Sequence, residues 1–281
     1  MKKIFGVFGD PIGHSLSPLM HNVAFSKLNM DCTYHAFKVK PNNLENAILG
    51  AKAMGFGGVN LTVPLKEEAL KFIKVNSIAK EIGAVNTIDF KDEIIGYNTD
   101  GIGAKRSLLD AGIEIKNKNI LIVGAGGAAR GLGFQFGLDG ANITIANRTE
   151  SRAIKLAEDI SNTNIVKGVN AKGHGLDNIN DLIKDADILI NTTTIGMHPN
   201  IDDTIAYSKD MRKELVVFDI VYNPLETCFL KEAKKAGAIC INGLMMFIYQ
   251  GAESFKIWTG IEPPVNEMKV KIMEVLSNHT I

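Results

Sequence analysis

The chain has 281 residues, of which 46% are hydrophobic and 22% are charged, the balance of a globular protein that buries a sizeable core. Its 31 Lys and Arg residues match its 31 Asp and Glu residues, and this zero net charge argues against a nucleic-acid-binding protein. Its three cysteines are scattered and form no CxxC pair, which argues against a disulfide framework and a zinc site. We therefore predict reduced thiols, no bound metal and a cytoplasmic location.

No apolar run reaches the roughly 18 residues that a membrane span needs. The apolar stretch at residues 4–8 ends at Gly9-Asp10, too soon for the core of a signal peptide, so we predict a strand there and no membrane association.

Short apolar runs alternate with segments of helical periodicity along the whole chain. Strands are predicted at residues 4–8, 32–39, 58–63, 86–90, 119–123, 143–146, 188–191 and 215–219. Helices are predicted at residues 18–28, 44–54, 101–111, 128–138, 151–160, 225–236 and 244–258, and after Pro263-Pro264. This alternation predicts an α/β protein with parallel sheets. The pattern occurs twice, and the polar residues 116–119 lead into the second set.

A loop of small and polar residues follows the first predicted strand. Ser15 and Ser17 lie just before Pro18, which suits the first turn of a helix. Ser17 is expected to cap that helix, and the two hydroxyls with the helix N–H groups could also bind a small carboxylate. His14 and His21 flank the loop, either in structural hydrogen bonds or as proton shuttles.

Polar residues also follow three later strands of the first set. Thr62 lies near the end of the strand predicted at residues 58–63 and Lys66 follows that strand, Asn86 lies in a Gly-Ala-Val-Asn-Thr sequence, and Asp100 ends a Gly-Tyr-Asn-Thr-Asp sequence. The carboxyl ends of strands in α/β proteins face the crevice where ligands bind. Taken singly, Lys66 could be a solvated lysine and Asp100 a helix cap.

A glycine-rich turn connects a buried strand to a helix in the second set. Residues 124–129, Gly-Ala-Gly-Gly-Ala-Ala, fit the pattern G-x-G-x-x-A after the strand at 119–123. Its glycines permit a tight turn and the close approach of a pyrophosphate, which the helix N-terminus would face. The sequence therefore predicts a dinucleotide site.

The next strand ends in Asn147-Arg148-Thr149, where an NAD-preferring site usually has an acidic residue for the ribose 2′-hydroxyl. Arg148 and Arg152 could instead bind a 2′-phosphate through guanidinium hydrogen bonds. This favours NADP(H) over NAD(H), unless Arg148 is only a solvated surface residue.

Together these motifs resemble the shikimate dehydrogenase family. The matching sequences are GDPIGHSLSPLMHN (9–22), NLTVPLK (60–66), GAVNT (83–87), GYNTDG (96–101), VGAGGAAR (123–130), NRTESRA (147–153), YNPLET (222–227) and NGLMMFIYQGAESFKIWTG (242–260). They occur in the family's order and span nearly the whole chain. Leu61, Thr192 and Ile220 depart from the residues common in the family, but none of these changes removes a chemical group that the reaction needs.

The resemblance implies reversible reduction of 3-dehydroshikimate to shikimate with NADPH, a step toward chorismate and the aromatic amino acids. It implies that Lys66 is the acid/base residue and is coupled to Asp100. The residues implied to bind the substrate are Ser15, Ser17, Thr62, Lys66, Asn86, Asp100, Tyr222 and Gln250.

For the cofactor NADP, the resemblance implies contacts with Gly124, Ala125, Gly126, Gly127, Ala128, Asn147, Arg148, Thr149, Arg152, Ile220 and Gly243. It implies a substrate domain of residues 1–101 and 242–281, a Rossmann-type NADP domain of residues 102–241, and an active-site cleft between them. Either a monomer or a homodimer is compatible with the sequence.

Three other functions are compatible with parts of this pattern. A dehydrogenase of the same build could act on quinate, which carries one more ring hydroxyl. A bifunctional folate dehydrogenase also has two domains and a lysine, but its motifs around the lysine differ. A non-catalytic NADP(H)-binding module would not need both Lys66 and Asp100.

Overall fold

The computed structural model describes residues 2–278, apart from the side chain of Asn278. The chain divides into two compact units, a first unit of Met1–Asp100 and Ile248–Ile281 and a second unit of Gly101–Phe247. The motifs predicted the divisions after Gly101 and Ile241, whereas the compact units divide after Asp100 and Phe247.

The first unit contains a six-stranded sheet in the order β2-β1-β3-β5-β6-β4. Its strands are β1 (Lys3–Gly9), β2 (Cys32–Lys38), β3 (Gly58–Leu61), β4 (Lys74–Val75), β5 (Thr87–Asp89) and β6 (Ile95–Tyr97). Only β5 runs against its neighbours, because residues 90–94 link it to β6 and a link this short permits a hairpin but no parallel crossover. The sheet is therefore mainly parallel, as predicted.

Helices α1 (Ser17–Lys27), α2 (Leu44–Ala53), α3 (Ser77–Ile82) and α10 (Val265–Asn278) belong to the first unit. Helix α4 (Asp100–Asp110) begins at Asp100, and helix α9 (Leu244–Thr259) belongs to the first unit from Ile248 onward. Within this unit, the indole N–H of Trp258 on α9 donates to the carbonyl of Ile88 on β5 at 2.9 Å.

The predicted capping role of Ser17 is wrong. Leu16 is the N-cap of α1 and makes no side-chain capping bond, while Ser17 is the first helical residue and is followed by Pro18. Proline fits this turn because the first N–H groups of a helix have no intrahelical partner. The Ser17 hydroxyl therefore does not cap the helix.

The second unit contains a six-stranded sheet in the order β12-β11-β10-β7-β8-β9. Its strands are β7 (Asn119–Val123), β8 (Asn142–Ala146), β9 (Ala171–His174), β10 (Ile188–Asn191), β11 (Val216–Asp219) and β12 (Ile239–Ile241). Helices α5 (Gly127–Leu138), α6 (Glu150–Ser161), α7 (Ile179–Asp185) and α8 (Cys228–Lys235) connect them. All the ladders are parallel, so this is the doubly wound order of the predicted Rossmann-type fold.

The strand order of this sheet reverses between β7 and β10, and such a switch point is where α/β sheets bind ligands. The glycine-rich turn follows β7 directly. The fold therefore places the predicted dinucleotide motif at the expected edge of the sheet.

Apolar side chains on one face of each sheet form a buried cluster with the helices and loops packed on that face. In the first unit they include Phe8, Leu44, Val59, Leu65 and Ile88. In the second unit they include Leu121, Leu189, Leu215, Val217 and Phe229. Within residues 2–278, no helix has both the length and the apolar character that a bilayer crossing requires.

Candidate active site

Lys66 and Asp100 form a short ion pair inside the first unit. The Lys66 Nζ atom donates to Asp100 Oδ2 at 2.5 Å, and the two side chains are only 16% and 6% exposed. Lys66 follows β3 through a turn closed by the Leu65 N–H and the Thr62 carbonyl, with Leu65 fully buried beneath it. The buried turn thus fixes a largely shielded ammonium beside a carboxylate.

Asn86 holds the other side of the Asp100 carboxylate. Its Nδ2 donates to Asp100 Oδ1 at 2.9 Å, and its Oδ1 accepts the backbone N–H of Thr99 at 2.9 Å. The sequence left a helix-capping role open for Asp100. In the structure α4 begins at Asp100 itself, and the carboxylate accepts hydrogen bonds from Lys66 and Asn86.

Gln250 on α9 completes this cluster. The Asn86 Nδ2 reaches Gln250 Oε1 at 3.4 Å, and the Thr99 hydroxyl donates to the Gln250 carbonyl at 2.9 Å. Four of the predicted site residues, Lys66, Asp100, Asn86 and Gln250, therefore meet through direct hydrogen bonds.

Thr62 and Ser15 lie on loops of the same unit, and Ser17 is the first residue of α1. The Thr62 N–H donates to the Phe8 carbonyl at 2.9 Å, and a Cβ at Gly9 would lie 2.4 Å from Thr62 Cγ2, so the glycine leaves room for this side chain. The backbone N–H of Ser17 donates to Ser15 Oγ at 3.4 Å, which holds the Ser15 hydroxyl at the start of α1.

A buried polar network behind this cluster was missed from the sequence. Asn60 on β3 donates to the Asn86 carbonyl and to the Thr87 and Ser254 hydroxyls, and it accepts the Tyr34 hydroxyl at 2.7 Å. The signal in the sequence was Asn60, a polar residue inside an apolar strand, because a buried amide needs hydrogen-bond partners and therefore predicts other polar side chains nearby.

His21 lies in an aromatic cluster and is almost fully buried. Its ring stacks on Tyr34 at 4.4 Å, and Nδ1 has no hydrogen-bond partner among the described residues. Burial lowers the pKa of His21 to about 3, so the ring is neutral at physiological pH.

The glycine-rich turn of the second unit has the shape of a phosphate cradle. Gly124 has φ +118°, and a Cβ there would lie 2.4 Å from the Thr192 hydroxyl, so only glycine fits. Nothing lies within 4 Å of a Cβ position at Gly126, so the backbone there is open, while Ala129 in the first turn of the next helix is fully buried. Helix α5 begins at Gly127, one residue before the predicted start.

The two arginines that the sequence assigned to a 2′-phosphate follow β8, the strand beside β7 and its glycine-rich turn. Arg152 donates to the Ala125 carbonyl in the turn at 3.2 Å. Arg148 is exposed and has no hydrogen-bond or ion-pair partner within residues 2–278. The carboxylate of Glu150 accepts the Gly175 N–H at 3.2 Å, while Asn147 Nδ2 donates to the Thr149 carbonyl. An open glycine cradle beside an unpaired guanidinium fits a phosphorylated dinucleotide.

Ile220, Tyr222 and Gly243 lie together at the end of β11. A Cβ at Gly243 would be 2.1 Å from the Ile220 carbonyl oxygen, and the Gly243 N–H donates to the Val221 carbonyl at 3.2 Å. The Tyr222 ring stacks on Phe247 at 4.5 Å, and burial raises the pKa of its hydroxyl to about 12. Tyr222 is therefore a neutral hydrogen-bonding group.

Among residues 2–278 there is no group of three or more His, Cys, Asp or Glu side chains that could hold a metal ion.

Three family models match this chain along its length. The shikimate dehydrogenase substrate binding domain matches residues 7–88, the shikimate / quinate 5-dehydrogenase model matches residues 106–227, and the shikimate 5′-dehydrogenase C-terminal domain matches residues 243–269. The shikimate dehydrogenase (NADP(+)) of Methanosarcina barkeri is 61% identical over 280 residues, which cover 98% of this chain and 99% of the relative. The chain belongs to the shikimate dehydrogenase family.

Two solved structures show the range of this family. A shikimate dehydrogenase crystallised in complex with NADP⁺ is 47% identical, has a TM-score of 0.92 and covers 98% of this chain, which covers 96% of it. A quinate dehydrogenase from Corynebacterium glutamicum in complex with NAD is 28% identical, has a TM-score of 0.88 and covers 97% of this chain, which covers 99% of it. The family fold is therefore shared by proteins with different substrates and cofactors.

Proposed function

We propose that this protein catalyses the reversible, NADPH-dependent reduction of 3-dehydroshikimate to shikimate, on the route to chorismate and the aromatic amino acids. The observation that carries the proposal is the shielded Lys66–Asp100 pair at 2.5 Å, held by Asn86. The identity to shikimate dehydrogenases over nearly the whole chain supports the same activity.

Lys66 supplies the proton in this proposal. NADPH, when bound to the second unit, would supply the hydride for the ring ketone. Negative charge then develops on the ketone oxygen, and a positioned ammonium both stabilises that charge and donates the proton. Asp100 keeps the ammonium oriented, and Asn86 fixes the carboxylate through its other oxygen.

The remaining polar residues orient the substrate. We assign the substrate carboxylate to Ser15, Ser17 and Tyr222, because hydroxyl groups can bind an anion without a charged partner. We assign the ring hydroxyls to Thr62, Asn86, Asp100 and Gln250, because the hydroxyl and amide groups can donate and accept and the carboxylate can accept.

The second unit holds NADP in this proposal. The turn of Gly124, Ala125, Gly126, Gly127 and Ala128 would bind the pyrophosphate through backbone N–H groups. Arg148 and Arg152, with Asn147 and Thr149, would bind the 2′-phosphate. Ile220 and Gly243 would contact the nicotinamide end.

The proposal also includes the substrate domain of residues 1–101 and 242–281 and the NADP domain of residues 102–241. It places the enzyme in the cytoplasm, as a monomer or a homodimer. The free thiols of Cys32, Cys228 and Cys240 support a reducing compartment.

The second candidate is a dehydrogenase that acts on quinate with NAD. The quinate dehydrogenase of the same fold favours it. The unpaired Arg148 and the absence of an acidic residue at the end of β8 argue for NADP instead.

An activity assay at alkaline pH tests the proposal directly. Shikimate and quinate are each oxidised with NADP⁺ and with NAD⁺, and nicotinamide absorbance is followed. The highest kcat/KM is expected for shikimate with NADP⁺. A higher value for quinate would establish the second candidate, and no turnover with any pair would identify a non-catalytic dinucleotide-binding protein.

A further inference from the structure

Asp219 is a fully buried carboxylate outside the proposed chemistry. It is the last residue of β11 and has 0% exposure. No Lys, Arg or His side chain forms an ion pair with it within the described part of the chain. An unpaired buried charge is costly unless hydrogen bonds compensate it, so this aspartate requires an explanation.

Three donors converge on the two oxygens of this carboxylate. Asp219 Oδ1 accepts Asn191 Nδ2 at 3.0 Å and the Val221 N–H at 3.1 Å, and Oδ2 accepts the Thr227 hydroxyl at 2.6 Å. Burial still raises the pKa of Asp219 to about 6, which leaves it mostly ionised at neutral pH.

Each donor belongs to a different segment at the carboxyl edge of the sheet. Asn191 ends β10, and its Nδ2 also donates to the Ile195 carbonyl while its Oδ1 accepts the Thr193 hydroxyl. Val221 belongs to the segment after β11. Thr227 is the N-cap of α8, where its oxygen also accepts the Leu230 N–H. The carboxylate therefore ties the β10 loop, the β11 loop and α8 to one point.

This point lies next to residues assigned to the nicotinamide end. The Ile220 N–H donates to the Asn191 carbonyl at 3.1 Å, so Ile220 is held on both sides by partners of Asp219. The Val221 carbonyl accepts the Gly243 N–H at 3.2 Å. A shift of Val221 would therefore move Ile220 and Gly243 together.

We propose that Asp219 is a positioning residue that sets the Ile220–Tyr222 segment and Gly243 for the nicotinamide end of the cofactor. The inference rests on the proposed function, because that function assigns the nicotinamide contacts.

The carboxylate is required here because it accepts at both oxygens. An amide in its place would present an NH₂ group to at least one of the three donors. If that group faced Thr227, the threonine oxygen would have to accept from it while it already accepts the Leu230 N–H. The substitution Asp219→Asn thus keeps the size and shape of the side chain but removes at least one of the three hydrogen bonds that the carboxylate accepts.

The test separates the two halves of the cofactor. Adenosine 2′,5′-bisphosphate carries the 2′-phosphate but no nicotinamide, so its affinity, measured by calorimetry, reports the site at Gly124–Ala128 and Arg148. For Asp219→Asn we expect kcat/KM with shikimate and NADP⁺ to fall by about tenfold or more, since hydrogen bonds to charged groups are among the strong ones. The affinity for adenosine 2′,5′-bisphosphate is expected to stay within about twofold.

Further variants keep the test decisive if Asp219→Asn does not fold. Thr227→Val removes one donor to Asp219 and should lower kcat/KM without lowering the affinity for the bisphosphate. Thr227→Ser keeps the hydroxyl and should retain the kcat/KM of the wild type. Asp187→Asn is the control, because Asp187 precedes β10 at the opposite end of the strand and accepts the Asn119 N–H.

The outcomes distinguish this inference from the proposed function. Unchanged turnover in Asp219→Asn and Thr227→Val, or an equal loss of turnover and of bisphosphate affinity, would overturn the positioning role. A wild-type protein that neither binds the bisphosphate nor oxidises shikimate would instead overturn the proposed function.

Discussion

At the scale of single residues, the proposed chemistry depends on which charged groups have partners. The Asp100 carboxylate has two donors and its side chain is 6% exposed, whereas Arg148 is exposed with no partner in the described chain. A buried pair is already committed to its geometry, but an unpaired surface guanidinium can bind an incoming phosphate at little structural cost. Asp100 and its partner Lys66 are therefore tested through turnover, and Arg148 is tested through the affinity for the cofactor.

Replacing Arg148 tests the assignment of the 2′-phosphate. We expect Arg148→Ala to raise the KM for NADPH by about tenfold or more and to change the KM for NADH by less than about twofold, because only NADPH carries the phosphate. Steady-state kinetics with both cofactors measures the effect. Lys209→Ala removes another exposed cation of the second unit and should change neither value. Equal losses for both cofactors in Arg148→Ala would refute the assignment.

At the scale of secondary-structure elements, close contacts decide where glycine is required. A Cβ at Gly58, in β3, would lie 2.1 Å from Trp258 Nε1, the atom that donates to the Ile88 carbonyl. A Cβ at Gly50, in α2, would have no neighbour within 4 Å. The same substitution is therefore expected to have opposite effects at these two positions.

We expect Gly58→Ala to lower the free energy of unfolding by about 1–3 kcal/mol, since the added methyl group must displace a buried indole. Gly50→Ala should raise it by about 0.5–1 kcal/mol, because alanine favours the helix. Urea unfolding monitored by circular dichroism compares the two variants. A stabilised Gly58→Ala protein would show that β3 and α9 are not packed as described.

The sequence predicted the elements with strong patterns and missed those fixed by their neighbours. Strand β7, a continuous apolar run before the glycine-rich turn, was predicted at its observed bounds. Strand β9, Ala-Lys-Gly-His, has no β-branched residue, and a Cβ at Gly173 would lie 2.3 Å from the backbone of α6. Its position depends on a close helix approach that no local pattern reveals. The other missed elements, β4, β12, α3 and α7, are short, with two to seven residues each.

The same distinction applies to the candidate site. Motif order indicated Lys66 and Asp100, but their direct contact depends on the fold of the first unit. Asn60 and Ser254 were missed because they are 194 residues apart in the chain and meet only in the folded core. Ser17 was assigned to a cap because local helix rules do not anticipate the start that the tertiary structure selects.

At the scale of the whole molecule, the buried His21 makes stability depend on pH. Its pKa is about 3 in the folded state and about 6.5 when the chain is unfolded, so the unfolded state binds more protons between these values. The stability that depends on neutral His21 is fully present above pH 6.5 and is lost as the pH falls toward 3. From pH 6.5 to pH 5 this loss is about 2 kcal/mol.

His21→Phe should remove this part of the pH dependence while keeping the aromatic stack. Trp258 is the only tryptophan of the chain, and its ring centroid lies 5.4 Å from that of His21, so its fluorescence follows unfolding of the first unit. Urea titrations at pH 6.5 and pH 5 give the difference. His35→Gln, at an exposed position of β2, should retain the wild-type dependence; the same dependence in His21→Phe would contradict the buried neutral state.

The most direct test of the proposed chemistry is the turnover of Lys66→Ala with shikimate and NADP⁺, compared with Lys71→Ala, whose lysine forms an exposed ion pair with Glu68. If Lys66 supplies the proton, its loss should lower kcat by about 10²- to 10⁴-fold and leave the KM for shikimate nearly unchanged, while Lys71→Ala should resemble the wild type. Near-normal turnover in Lys66→Ala would contradict the account.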